Sequence, residues 1–171
     1  GGPLGGDKDF YRLETNAAYY IPLKFSSVIE LSARAGMVDA YGDSSKVPIF
    51  ERYFVGGSRS IRGYDERGIG PIDANTEDPI GGEAIFVGSI EYTIPLIDVI
   101  KFAIFYDIGN VWGKYSDFMS TKLYAGTGIG LRIKTPIGPM NLDYGIPLDK
   151  QPGEEDRNKN GKFYFSVSRG F

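Results

Sequence analysis

The chain has 171 residues, a formal net charge of −3, 24 Gly, 12 Tyr and 11 Phe, and it contains neither His nor Cys. Without these two residue types, catalytic triads, thiolate metal sites and disulfides are excluded, and we expect no enzyme activity, no cofactor and no metal site. The nearly balanced charge argues against nucleic acid as a partner, because nucleic-acid binding needs clustered basic residues. Abundant glycine and tyrosine favour a membrane β-barrel instead.

About seven segments carry apolar residues at every second position, the pattern of β-strands with one apolar and one polar face. In the fourth segment, Phe102, Ile104 and Tyr106 alternate with Lys101 and Ala103. The helical period of 3.6 residues does not extend over any useful length. In chain order, the predicted strands cover residues 11–21, 29–37, 84–94, 100–108, 123–133, 140–146 and 163–167.

The connections between these segments alternate in length. Short turns are predicted at 22–26, 95–98 and 136–138, and long loops at 42–81, 113–121 and 147–161. Outer-membrane barrels have short turns at the periplasmic rim and long loops outside, so the pattern favours an all-β, antiparallel transmembrane β-barrel. A soluble β-sandwich is the alternative, but its connections would not be expected to alternate so regularly.

An odd number of strands leaves the predicted barrel incomplete. About seven antiparallel strands cannot close on themselves, and two open edges in lipid would leave costly unpaired backbone groups. We therefore expect at least one further strand upstream. Residues 1–171 are interpreted as the C-terminal part of a barrel domain with a long inserted loop at about 42–81, or as a half-barrel that pairs with another chain.

The long loop at 42–81 is rich in apolar and aromatic residues, so we expect part of it to fold back into the barrel lumen. There the guanidinium of Arg62 would need anions. Glu91 and Asp107 lie on the polar faces of the next two predicted strands, and one arginine can bind both through its five donors. Gly63 and Gly109 would allow close approach of the backbone. The expected contact is either a static structural pin or a moving switch.

Several motifs resemble the BamA-type outer-membrane protein assembly and secretion superfamily. The loop segment Ile61-Arg62-Gly63-Tyr64 is similar to its (V/I)RG(F/Y) motif, residues 105–112 to its aromatic-Asp-x-Gly strand, and residues 128–148 to its penultimate hairpin. The resemblance implies the last seven or so strands of a barrel of about sixteen strands. It also implies that Arg62 contacts Glu91 and Asp107.

The C-terminal segment resembles the last strand of that family, which pairs weakly with the first strand to form a lateral seam. The resemblance assigns six residues to this seam strand: Phe163, Phe165, Val167, Ser168, Gly170 and Phe171. Ser168 stands where assembly members often carry a glycine that kinks the strand, so Gly170 would have to supply any bend.

By resemblance, the expected function is an insertase that folds client barrels into the outer membrane through its seam. A two-partner-type secretion pore of the same superfamily, and a membrane anchor or channel of a larger protein, stay open as alternatives. The expected partners are the remaining barrel strands and periplasmic repeat domains, in the same protein or another chain, with accessory assembly lipoproteins, unfolded clients and the lipid bilayer.

Overall fold

The chain forms one antiparallel sheet of seven strands that follow each other in chain order. A computed structural model describes residues 10–41, 47–149 and 160–167. The strands are β1 (Phe10–Pro22), β2 (Val28–Ala40), β3 (Ala84–Ile97), β4 (Ile100–Trp112), β5 (Tyr124–Thr135), β6 (Gly138–Pro147) and β7 (Lys162–Val167). Within the described residues, β1 pairs with β2 alone and β7 with β6 alone, so the sheet is not closed. The predicted antiparallel barrel class is confirmed.

Helical structure is confined to short 3-10 turns in the part of the chain that the structure describes. They span Lys24–Ser26, Ile49–Glu51 and Tyr115–Asp117. Among the described residues, no helix has the length and apolar character needed to cross a membrane.

The strand register explains the alternation seen in the sequence. Ile104 of β4 lies opposite Ile129 of β5, and both side chains point to the outer face, where they are 45% and 49% exposed. Their neighbours on the inner face, Ala103 and Phe105, are buried. The period of two therefore separates an apolar outer surface from an inner face that other parts of the chain cover.

Most strands extend beyond the predicted segments because the backbone ladder continues where the apolar alternation ends. β2 continues to Ala40 and β4 to Trp112, several residues further than the period of two indicated. β3 continues to Ile97 through an irregularity between Pro95 and Ile97, where proline removes a ladder donor. Polar residues such as Asn110 hide these strand ends from a sequence pattern.

Residues 47–83, here called the inserted loop, fold back onto the inner face of the sheet. Antiparallel bridges stiffen this loop, among them Tyr53 with Gly82 and Val55 with Ile69. Its apolar side chains form a core with inward-facing residues of β2, β3 and β4: Val38, Val47, Tyr53, Val55, Ile61, Tyr64, Ile69, Ile85 and Val111. The inner face is thus apolar near the long loops, whereas the alternation in the sequence predicts a polar inner face. The loop supplies the apolar partners for this part of the inner face.

Candidate functional site

The motif Ile61-Arg62-Gly63-Tyr64 lies within the inserted loop, and all four of its residues are buried. A tight turn precedes it, in which the Gly57 N–H donates to the Ile61 carbonyl at 3.2 Å. Ile61 and Tyr64 are buried on either side of Arg62. Gly63 has φ = 107°, a conformation that L-residues with a side chain rarely adopt. The turn therefore directs the Arg62 side chain toward the wall of the sheet.

Arg62 binds Asp107 of β4 in a bidentate ion pair. Its Nε donates to Asp107 Oδ2 at 2.7 Å, and its Nη2 donates to Oδ1 at 2.8 Å. The Arg62 backbone N–H also donates to Oδ2, at 3.1 Å. Ser89 Oγ completes the carboxylate shell with a hydrogen bond of 2.6 Å to Oδ1. Because Asp107 is fully buried, this pairing must replace all the water that the carboxylate loses.

A second arginine, Arg132 of β5, extends the pair into a network. Arg62 Nη1 donates to Glu91 Oε2 at 2.9 Å, and Arg132 holds the same carboxylate in a bidentate contact of 2.9 and 2.6 Å. Arg132 Nη1 also donates to Asp143 Oδ1 at 2.6 Å. We call Arg62, Glu91, Asp107, Arg132 and Asp143 the ion cluster. Two guanidinium groups there bridge three carboxylates contributed by β3, β4 and β6.

The surroundings of Arg62 keep it charged in spite of burial. Burial alone would lower the pKa of the guanidinium, but the hydrogen bonds and charges of Asp107 and Glu91 raise the pKa above its ordinary value. The guanidinium also lies 3.4 Å from the ring centroid of Phe105, a cation–π contact. Among the described residues, every buried side-chain N or O atom has a hydrogen-bond partner. The ion cluster is therefore a fully satisfied polar network.

Glycines of β5 and β6 make room for the loop backbone. A Cβ on Gly126 would collide with the Arg62 carbonyl oxygen, and one on Gly145 would lie 2.6 Å from the Gly63 nitrogen. Gly63 itself lies against the backbone at Ile146 and Pro147. The small residues that alternate along these strands thus form a seat into which the loop main chain fits.

Tyr64 fixes the loop on the side away from Arg62. Its hydroxyl donates to the carbonyl of Ala125 at 2.8 Å and accepts from the Asp149 N–H at 3.2 Å. Burial raises the pKa of Tyr64 to about 12. The hydroxyl therefore stays protonated and remains a donor at physiological pH.

The structure brings Arg62, Glu91 and Asp107 together, but it places Gly109 elsewhere. A Cβ on Gly109 would meet the carbonyl oxygen of Phe86 and lie 2.9 Å from Cα of Val87, so the close approach it permits is to β3. The sequence grouped Gly109 with the partners of Arg62. Its position in the pairing of β3 and β4 gives it a different structural reason to be glycine.

The seam-strand residues are only partly described. Phe163, Phe165 and Val167 point outward from β7, and Phe163 is 84% exposed. Ser168, Gly170 and Phe171 lie outside the described residues, and so does any bend at this end of the strand.

Sequence reasoning missed half of the ion cluster's partners. Arg132 and Asp143 both lie in the motif segment 128–148, and the alternation in the sequence assigns neither of them a partner. Phe105 was not recognised as the ring beneath Arg62, because a large apolar side chain on the inner face breaks the pattern. The available signal was the hairpin register, which places Gly130 opposite Asp143 and so leaves space for a long side chain from Arg132.

Comparison with known proteins identifies the family. The Omp85 superfamily domain matches residues 1–171. The chain belongs to the Omp85 superfamily. The outer membrane protein assembly factor BamA of Nitratidesulfovibrio vulgaris is 33% identical over 174 residues, covering 100% of this chain and 22% of that protein. A SAM50-like protein of Schizosaccharomyces pombe is 31% identical over 162 residues, covering 86% of this chain and 33% of that protein.

A solved structure agrees with the Omp85 assignment. The crystal structure of BamA from Haemophilus ducreyi lacking POTRA domains 1–3 superposes with a TM-score of 0.76 at 27% identity, over 96% of this chain and 36% of that one. The family and the fold together identify the chain as part of an outer-membrane β-barrel, which confirms the resemblance inferred from the motifs. It spans 22% of the length of the BamA proteins of Nitratidesulfovibrio vulgaris and Neorickettsia risticii.

Proposed function

We propose that this chain is the C-terminal part of an outer-membrane assembly factor that folds client β-barrels and inserts them through a lateral seam. The relatives named as assembly factors support this activity over secretion. The observation that carries the proposal is the motif loop, bound on the inner face by Arg62 to Asp107 and Glu91. A loop whose Arg62 is held by three carboxylates of the barrel wall keeps that wall in one defined shape beside the seam.

The strand that would form the seam has the features of a template for strand addition. The described part of β7, Lys162–Val167, pairs along its whole length with β6. Within the described residues β6 is the one strand with which β7 pairs, and opening of the seam would expose the backbone donors and acceptors on the other edge of β7. A client strand could pair there by β-augmentation, with no covalent chemistry and no cofactor.

The partners follow from this activity. The barrel needs its remaining strands, and we expect periplasmic repeat domains and accessory lipoproteins to deliver unfolded clients to the seam. The exposed apolar outer face, which includes Ile90 and Ile129, would contact the lipid bilayer.

The decisive experiment replaces Arg62 by Ala in the full-length protein and measures client folding in reconstituted vesicles. We expect the initial rate to fall at least about tenfold, because Asp107 and Glu91 lose their partner and the loop loses its position. Arg34→Ala is the matched control: Arg34 also lies on the inner face, but in an exposed pair with Glu14 at 3.0 Å. It should retain the wild-type rate.

Each outcome separates the candidate functions. Client folding at the wild-type rate by a correctly folded Arg62→Ala protein would show that the activity does not depend on the binding of the loop by Arg62. If the substitution abolishes export of a soluble partner polypeptide as well as client folding, the secretion pore would be favoured. Steady ion conductance without either activity would favour an anchor or channel.

A further inference from the structure

The inner face of the seam strand contacts the inserted loop directly. The Tyr164 hydroxyl of β7 accepts a hydrogen bond from the Gly63 N–H at 2.9 Å and donates one to the Tyr64 carbonyl at 2.6 Å. A single side chain therefore satisfies two backbone groups of the motif. These two residues are separated from Tyr164 by about a hundred positions in the chain.

A second contact between β7 and the loop lies two residues before Tyr164, on the same face of the strand. Lys162, the preceding inward-facing residue of β7, forms an ion pair with Asp65 of the loop. Lys162 and Tyr164 share the inner face because successive side chains of a strand point to opposite sides. Both contacts therefore join the same face of β7 to loop residues 63–65.

The loop links β7 to the centre of the sheet. Asp107 of β4 holds Arg62 in the bidentate pair, and the next residue, Gly63, is bonded to Tyr164 of β7. In the backbone ladder, by contrast, β7 is joined only to β6, over Met140 to Gly145, within the described residues. Moving β7 at the seam would either leave two backbone groups of the loop unpaired or displace the loop with it.

We propose that Tyr164 and Lys162 are positioning residues that couple the seam strand to the inserted loop, so that β7 and residues 63–65 open together. This inference rests on the proposed function, in which β7 forms the lateral seam. It gives the loop a second task beyond holding the ion cluster: the state of the loop sets how freely the seam strand separates from the first strand of the barrel.

The test compares amide hydrogen exchange in the full-length protein in lipid nanodiscs, without client. In Tyr164→Phe, which removes only the hydroxyl, we expect exchange to rise about three- to tenfold both in β7 and in residues 61–66. The amides of β4 should keep their wild-type rates, because the pair between Arg62 and Asp107 is intact. Tyr144→Phe is the matched control, since that ring packs on Phe163, 4.6 Å between centroids, on the outer face.

The ion pair allows a rescue experiment. Lys162→Glu places like charges together and should raise exchange in the same two segments, whereas Lys162→Glu combined with Asp65→Lys restores an opposite-charge pair and should return both segments toward wild type. Rescue of the two segments together supports coupling, because a general loss of barrel stability would not be reversed by exchanging the charges.

Two results would overturn the coupling. One is faster exchange in β7 with residues 61–66 unchanged in Tyr164→Phe; the other is the same response in Tyr144→Phe. Neither depends on client folding. The proposed function fails separately, if Arg62→Ala folds clients at the wild-type rate.

Discussion

The inserted loop is held in the barrel by two neighbouring regions that use different physics. In the first region, apolar residues of the loop, Ile61 among them, pack on Val38, Ile85 and Val111 of the sheet. In the second region, the ion cluster binds Arg62. Apolar packing contributes stability in proportion to buried area and tolerates many shapes of similar volume. Buried ion pairs contribute little net stability, but they allow few alternative arrangements.

This difference assigns a separate role to each region. The apolar core explains why the loop enters the lumen at all, since its side chains would otherwise be exposed to water. The ion cluster explains why it stops at one position, because only there do the guanidinium groups meet three carboxylates in bonding geometry. A change in the apolar core should therefore weaken the binding of the loop to the sheet. A change in the ion cluster should also shift the loop from its position.

The largest effect is expected from Asp107→Ala. Removing this carboxylate leaves the guanidinium of Arg62 buried without its main partner, which costs about 3–5 kcal/mol in the free energy of unfolding. Urea unfolding of the full-length protein in detergent micelles would measure it. Asp78→Ala, at an exposed position of the same loop, is the control and should change stability by less than about 0.5 kcal/mol. Similar losses for the two variants would contradict the importance of the ion cluster.

Ile61→Ala tests the apolar region. Ile61 is fully buried in the core, and its truncation should cost about 2–4 kcal/mol through lost burial and the cavity left behind. The comparison variant Ile72→Ala removes the same atoms from a loop side chain that is 40% exposed, and should cost under about 1 kcal/mol. If the two regions differ as argued, Ile61→Ala keeps the hydrogen-exchange pattern of the ion-cluster strands while Asp107→Ala changes it.

Gly126→Ala tests whether the glycine seat positions the loop. The added methyl group would overlap the Arg62 carbonyl oxygen, so the loop must shift, and we expect a loss of about 1–3 kcal/mol. Gly88→Ala is the control, because its nearest neighbour would be Ile108 Cγ2 at an ordinary 3.6 Å. That variant should be neutral within about 0.5 kcal/mol. Equal urea midpoints for both variants would show that the loop is not seated on β5.

The fold was largely predictable because its signal is local. The period of two in segments such as 100–108 follows directly from strand geometry, and alternating link lengths identified a membrane barrel. The partners of Arg62 on β3 and β4 could be found because Glu91 and Asp107 are charged residues at inward positions. Arg132 and Asp143 meet by diagonal reach across the hairpin of β5 and β6, which follows from the hairpin register and not from the alternation within either segment.

The remaining misses have the same physical origin. Tyr164 bonds to residues about a hundred positions away, and no periodicity predicts a contact between a terminal strand and a distant loop. Val38, Ile85 and Val111 occupy inward positions that a polar lumen would fill with polar residues, and only the presence of the loop explains them. Elements were therefore predictable, whereas contacts between distant elements required the folded chain.

The smallest expected effect comes from the exposed pair between Arg34 and Glu14, which sharpens the contrast between buried and exposed charges. Their 3.0 Å contact is close to the 2.9 Å contact between Arg62 and Glu91, but the Arg34 side chain is 45% exposed. Water screens such a pair, so Arg34→Ala should cost only about 0.2–1 kcal/mol, and less in high salt. A urea midpoint measured at low and high salt tests this. A loss as large as that of Asp107→Ala would mean that contact distance, and not burial, decides what an ion pair is worth in this barrel wall.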